Sequence, residues 1–168
     1  MKTAVVIIAL CLAISGCGFH LRGAGGSQVE FAGERIFVLQ SRAGNLLAEL
    51  RPLIAGTGAK LVASKADADY VLALGNEKME REVLSVSPQT GKVEEYQLTY
   101  TVIMNVAPAA DGKPLLQDER IMLQRDFTFD QDAVLGKFSE EELLRSELLR
   151  EAAEQVLRRL GAALQRAG

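Results

Sequence analysis

Apolar and polar residues follow one another in three rhythms along this chain. From Ala4 to Ile14 there is no alternation at all: eleven residues pass without a charge behind a basic Met1-Lys2-Thr3 start. A helix that long covers only about half of a ~30 Å hydrocarbon core. The stretch therefore predicts the apolar part of a secretory signal, and a spanning helix is excluded.

The second rhythm is short and dense. Ile36-Phe37-Val38-Leu39, inside residues 34–40, is a continuous apolar run that predicts a strand buried on both faces. Residues 45–54 then carry apolar side chains at 46, 47, 50, 53 and 54, the spacing of a helix. Pro52 inside it predicts a kink or an early end, and Gly56-Thr57-Gly58 predicts the stop.

The third rhythm has a period of two. Residues 70–74 open a strand whose polar continuation, 76–82, is expected to project beyond the core. Ser87-Pro88-Gln89-Thr90-Gly91 predicts a turn. Tyr96, Leu98, Tyr100, Val102, Met104 and Val106 then alternate with Gln97, Thr99, Thr101, Ile103 and Asn105. One face of that strand packs, and the other meets water or a partner. Residues 108–114 predict a second turn. Ile121, Leu123, Phe127 and Phe129 alternate in a last strand, with Arg125 interrupting the stripe.

The chain closes on a helical pattern over 139–165. Ser139 with Glu142 matches a capping box, and Glu140 and Glu141 add negative charge at the positive helix end. Leu149, Ala153, Val156, Leu157, Leu160 and Leu164 form the expected inner stripe, with Glu147, Glu151, Glu154 and Arg158 outside. Glu141–Arg145 and Glu154–Arg158 are spaced for i,i+4 ion pairs. The order β-α-β-β-β-α predicts an α+β two-layer sandwich, a four-stranded mixed sheet covered on one face by two helices.

Composition narrows the function. Nineteen basic against 22 acidic residues, a net −3, argue against nucleic acid as a partner. The single His20 and the two cysteines, Cys11 and Cys17, offer no metal-ligand spacing. The carboxylate clusters at 94–95 and 140–142 have no nucleophile beside them, so no catalytic residue, metal or cofactor is assigned. Ile14-Ser15-Gly16-Cys17 has the aliphatic-small-small-Cys order of a bacterial lipobox. Residues 1–16 are thus expected to be a signal peptide, 17–33 an acylated cysteine with a Gly-rich tether, and 34–168 the folded domain. Gly18 follows the cysteine instead of the Asp common in inner-membrane lipoproteins, which favours the outer membrane.

The heptad Cys17-Gly18-Phe19-His20-Leu21-Arg22-Gly23 resembles the LptE family of lipopolysaccharide-assembly lipoproteins. Glu95-Tyr96-Gln97-Leu98 and the run 152–160 fall in the same order as in that family, so the resemblance covers nearly the whole chain. It implies a non-enzymatic outer-membrane lipoprotein with two helices on a four-stranded sheet. It also implies a domain on the periplasmic side, seated as a plug and assembly partner in the lumen of the β-barrel LptD, that binds lipopolysaccharide on its way to the outer leaflet.

Carried over to this chain, lipopolysaccharide contacts would fall on Lys92 and Lys137. Arg81 and Lys78 would join Lys92 at one tip, and Val83, Leu84 and Val86 would meet an apolar surface. Phe19, Leu21, Arg22, Gln97, Thr99, Thr101 and Asn105 are the expected partner contacts. A stand-alone lipid or glycolipid carrier remains the alternative, and a lipoprotein enzyme acting on envelope polymers a third; copurification with a barrel separates them.

Overall fold

In the computed structural model, residues 31, 33–40, 45–111, 113–129 and 134–167 are described, except for the side chains of 40 and 134–139. The elements are β1 (Arg35–Gln40), α1 (Leu46–Gly56), β2 (Lys60–Val62), a 3-10 turn (Lys65–Asp67), β3 (Tyr70–Val86), β4 (Val93–Pro108), β5 (Leu116–Thr128) and α2 (Val134–Gln165). They build one sheet of order β2-β1-β3-β4-β5. β1 lies parallel to both β2 and β3, while β3, β4 and β5 run antiparallel.

The sheet has five strands where the sequence pattern predicts four. The extra one is β2, whose three residues are too few to show a period; it is held by parallel pairing to β1 and by the Lys60 amide donating to the Glu34 carbonyl at 2.9 Å. The folded domain also starts earlier than expected. Phe31, placed by the sequence in the tether, is buried in the core, and its amide donates to the Thr57 carbonyl at 3.0 Å.

α1 runs straight through Pro52 to Gly56. The proline costs one hydrogen bond, to the Ala48 carbonyl, and both residues lie on the exposed side, where water can take that carbonyl. Leu46, Leu50 and Ile54 face inward and are fully buried. Gly58, at φ +87, turns the chain out of the helix where a Cβ would come within 3.1 Å of the Phe31 carbonyl oxygen.

β3 and β4 form one long hairpin, in which residues 78–82 pair with 97–101. Between Gly75 and Lys78 the register slips by one residue, with Asn76 at φ 54. That bulge reverses the alternation of β3. Leu72 and Leu74 face the helices before it; Met79, Arg81 and Val83 do so after it, opposite Tyr100, Leu98 and Tyr96. Lys78, Glu80 and Glu82 are thereby turned to the uncovered side.

The inner face of β4 behaves as its pattern predicts: Leu98, Tyr100, Val102, Met104 and Val106 are all buried. On β5, Arg125 sits on the helix side because it reaches Glu151 of α2 at 2.6 Å. α2 begins at Val134, so Ser139 lies inside the helix and does not cap it. The helix is also turned relative to the expected stripe. Leu148, Ala152, Ala153, Val156, Leu160, Ala163 and Leu164 are buried, whereas Leu149 and Leu157 sit at the margin. Both helices cover one face of the sheet and pack on each other.

Candidate functional site

Two surfaces gather the residues singled out from the sequence. The first is the far end of the β3–β4 hairpin with the neighbouring start of α2. The turn closes through the Ser87 amide on the Lys92 carbonyl (2.7 Å) and the Gly91 amide on the Ser87 carbonyl (2.8 Å), with Gly91 at φ +69. Lys92 stands exposed at its end, with Val83, Leu84 and Val86 about half exposed beside it. Lys137 lies in the first turn of α2; its side chain falls outside the description, as do Cys17, Phe19, Leu21 and Arg22.

Arg81 and Lys78 do not join Lys92 as one cluster. Three positions apart on one strand, they point to opposite faces of β3, and Lys78 lies about 26 Å before the end of the strand. Arg81 is already engaged. Its guanidinium donates to Glu141 Oε2 of α2 at 3.0 Å and lies 4.7 Å from the centre of the Tyr96 ring. Tyr96 in turn stacks on Phe127 and meets Phe129 edge-on, with centroids 5.8 and 5.2 Å away. Arg145 donates to the other Glu141 oxygen from Nε (3.0 Å) and Nη2 (2.6 Å). Partial burial pushes the Glu141 carboxyl up, but the hydrogen bonds from Arg145 and Arg81 outweigh it and hold it below the usual carboxylate range.

The second surface is the open face of the sheet. Cross-strand rows run Glu82–Gln97–Asp126, Glu80–Thr99–Gln124 and Lys78–Thr101–Met122, and Arg120 stands opposite Ile103. Four of these side chains, Gln97, Thr99, Gln124 and Asp126, bond to one another. Gln97 Nε2 donates to Asp126 Oδ1 (2.9 Å), and Gln124 Nε2 donates to Gln97 Oε1 (3.0 Å) and Thr99 Oγ1 (3.3 Å). Asn105 Oδ1 accepts the amide of Asp118, which sits at φ 50 (2.7 Å). A shallow groove of about 530 Å³ follows Lys78, Thr101 and Arg120, and a smaller hollow of about 220 Å³ opens between Leu39, Ala73 and Ile103.

Four of the seven expected partner contacts, Gln97, Thr99, Thr101 and Asn105, therefore share one face. Its Gln97–Thr99–Gln124–Asp126 part, whose donors and acceptors already meet each other, can be buried against a polar wall at small desolvation cost. Among the described residues, no cluster of three or more His, Cys, Asp or Glu is placed to hold a metal ion. Sequence reading missed Gln124 and Asp126 as members of this network and Glu141, Arg145 and Tyr96 as partners of Arg81. Only the i,i+4 spacing of Glu141 and Arg145 was visible beforehand.

Fold and surfaces together define a class: an α+β domain whose sheet is covered by helices on one face and open on the other. The chain belongs to the LptE family, whose lipopolysaccharide-assembly model matches residues 27–160. It is 32% identical to the LPS-assembly lipoprotein LptE of Pectobacterium atrosepticum, across 95% of this chain and 86% of that one. Among solved structures it is similar to an uncharacterised lipoprotein B from Nitrosomonas europaea (27% identity, TM-score 0.74, 88% of this chain and 93% of that one). It is also similar to the rare lipoprotein B from Shewanella oneidensis (29%, TM-score 0.67, 79% and 98%).

Proposed function

We propose that this chain is an outer-membrane lipoprotein of lipopolysaccharide assembly, acylated at Cys17 and seated in the lumen of an LptD-type barrel. It acts there by binding and occlusion, without turnover. The observation that carries the reading is the open face of β3–β5. Its amides, hydroxyls and carboxylates are pre-arranged in a network suited to the polar inner wall of a barrel. Acylation confines the domain to the membrane plane, so a modest interface is occupied at high effective concentration. Lys92 on the hairpin turn and Lys137 at the start of α2 are the cations offered to lipid phosphates, where a charge-assisted hydrogen bond competes well with water.

The test is purification of the full-length acylated chain from membranes. A stoichiometric barrel partner, with photo-crosslinks from Thr99 and Thr101 to it, is the expected result. A chain that emerges alone with bound lipid would instead favour a free carrier.

A further inference from the structure

The two lysines of the proposed anion site sit on different elements. Among the described side chains of α2, full burial begins at Leu148, with Leu144 partly buried one turn before it. The contacts along α2 give its direction: Arg159 reaches Glu119 and the Arg120 carbonyl, Glu151 reaches Arg125, and Glu141 reaches Arg81. From Arg159 to Glu151 the helix advances along β5 toward the hairpin end; from Glu151 to Glu141 it crosses from β5 to β3 at one level, since Arg125, Leu98 and Arg81 share a cross-strand row. Lys137 lies about 6 Å before Glu141 along the helix axis, and the turn about 20 Å beyond Arg81 along β3.

We infer that Arg81 is a positioning residue for the anion site: by clasping Glu141 while lying on Tyr96, it fixes the start of α2, and so Lys137, relative to the hairpin that carries Lys92. The inference rests on the lipopolysaccharide-binding reading above. Three observations converge on it. Glu141 is only 13% exposed and is shared by two guanidinium groups, Arg81 from the sheet and Arg145 from its own helix. The flat guanidinium of Arg81 is braced from below by an aromatic group that also joins β5 through Phe127 and Phe129. And the bulge at Asn76 is what turns Arg81 to the helix side at all. A merely solvated arginine would have neither a carboxylate nor a ring committed to it.

A direct contact with ligand makes the opposite forecast for Glu141. If Arg81 itself gripped a phosphate, Glu141 would compete for it, and E141Q would leave binding unchanged or tighten it. If Arg81 positions α2, E141Q weakens binding as R81Q does. The experiment measures binding of fluorescent lipopolysaccharide to the full acylated chain in detergent, together with amide hydrogen exchange over residues 135–147, for wild type, R81K, R81Q, E141Q and the R81Q/E141Q double variant.

The expected result is a loss of about fivefold in affinity for R81Q and for E141Q, with no further loss in the double variant and most of the affinity kept in R81K. Exchange over 135–147 should quicken in the same variants. Weakening by R81Q without weakening by E141Q overturns the inference, as does unchanged binding in both. A wild-type chain that binds no lipopolysaccharide removes the underlying reading and this one with it.

Discussion

Asp69 closes on Arg35 through three hydrogen bonds: from the Arg35 amide at 2.8 Å, from Nε at 3.2 Å and from Nη2 at 2.7 Å. The Asp69 amide returns one to the Arg35 carbonyl at 2.8 Å. The residue before β3 is thereby tied to the first residue of β1, at the end where their parallel pairing begins. Hydrogen bonds from the Arg35 side chain and then its backbone lower the Asp69 carboxyl from 3.8 to about 2.

A folded-state value below the unfolded one means that the charged form is favoured by folding. The stabilisation is therefore complete above about pH 4 and is lost as pH falls through about 2. Thermal melts of wild type and D69N between pH 2 and 7 should differ most at neutral pH and converge toward pH 2. Parallel curves across that range would remove the Arg35 contact as a source of acid sensitivity.

The bulge at Asn76 makes a conformational demand that can be tested directly. At φ 54 a β-branched side chain is strained, whereas glycine is tolerated. Asn76→Val should cost about 1–3 kcal/mol in chemical unfolding, and Asn76→Gly roughly nothing. Deleting Asn76 should leave the later faces of β3 unchanged, because Glu77 would then stand opposite Val102 while Lys78 and Met79 keep Thr101 and Tyr100.

The phase of α2 gives a paired comparison. Leu148 is wholly buried and Leu149 lies at the margin of the core. Leu148→Ala should destabilise by about 2–5 kcal/mol, and Leu149→Ala by clearly less. Exposed Leu143 should be replaceable by alanine within about 0.5 kcal/mol. Denaturant midpoints at constant m-value would check all three.

On the open face, Thr101→Arg places a long cation in the middle of the groove between Lys78 and Arg120. Stability should change by no more than about 0.5 kcal/mol, because the side chain has water to extend into. Recovery of the barrel partner in copurification should fall sharply. A folded variant that still brings down its partner in full yield would place the docking surface elsewhere.

Much of this domain is legible along the chain, for a local reason. Alternation in 96–106, helical spacing in 45–54 and 139–165, and the turn residues at 87–91 are each short-range consequences of which side chains must leave water, and α1, β4 and the hairpin turn stand where those patterns put them. The lipobox order around Cys17 is equally local. β2 was invisible because its three residues owe their strand conformation to β1 alone.

What tertiary structure alone decided is which face each later side chain of β3 occupies. A single extra residue at Asn76 inverts the alternation, and a period of two has no memory across such a slip. That inversion turns Lys78 to the open face and brings Arg81 to Glu141, sixty positions away in the chain. The phase of α2 was settled likewise, by what the sheet and α1 offered to pack against. Local rhythm sets which residues hide, but only assembled neighbours set what they meet.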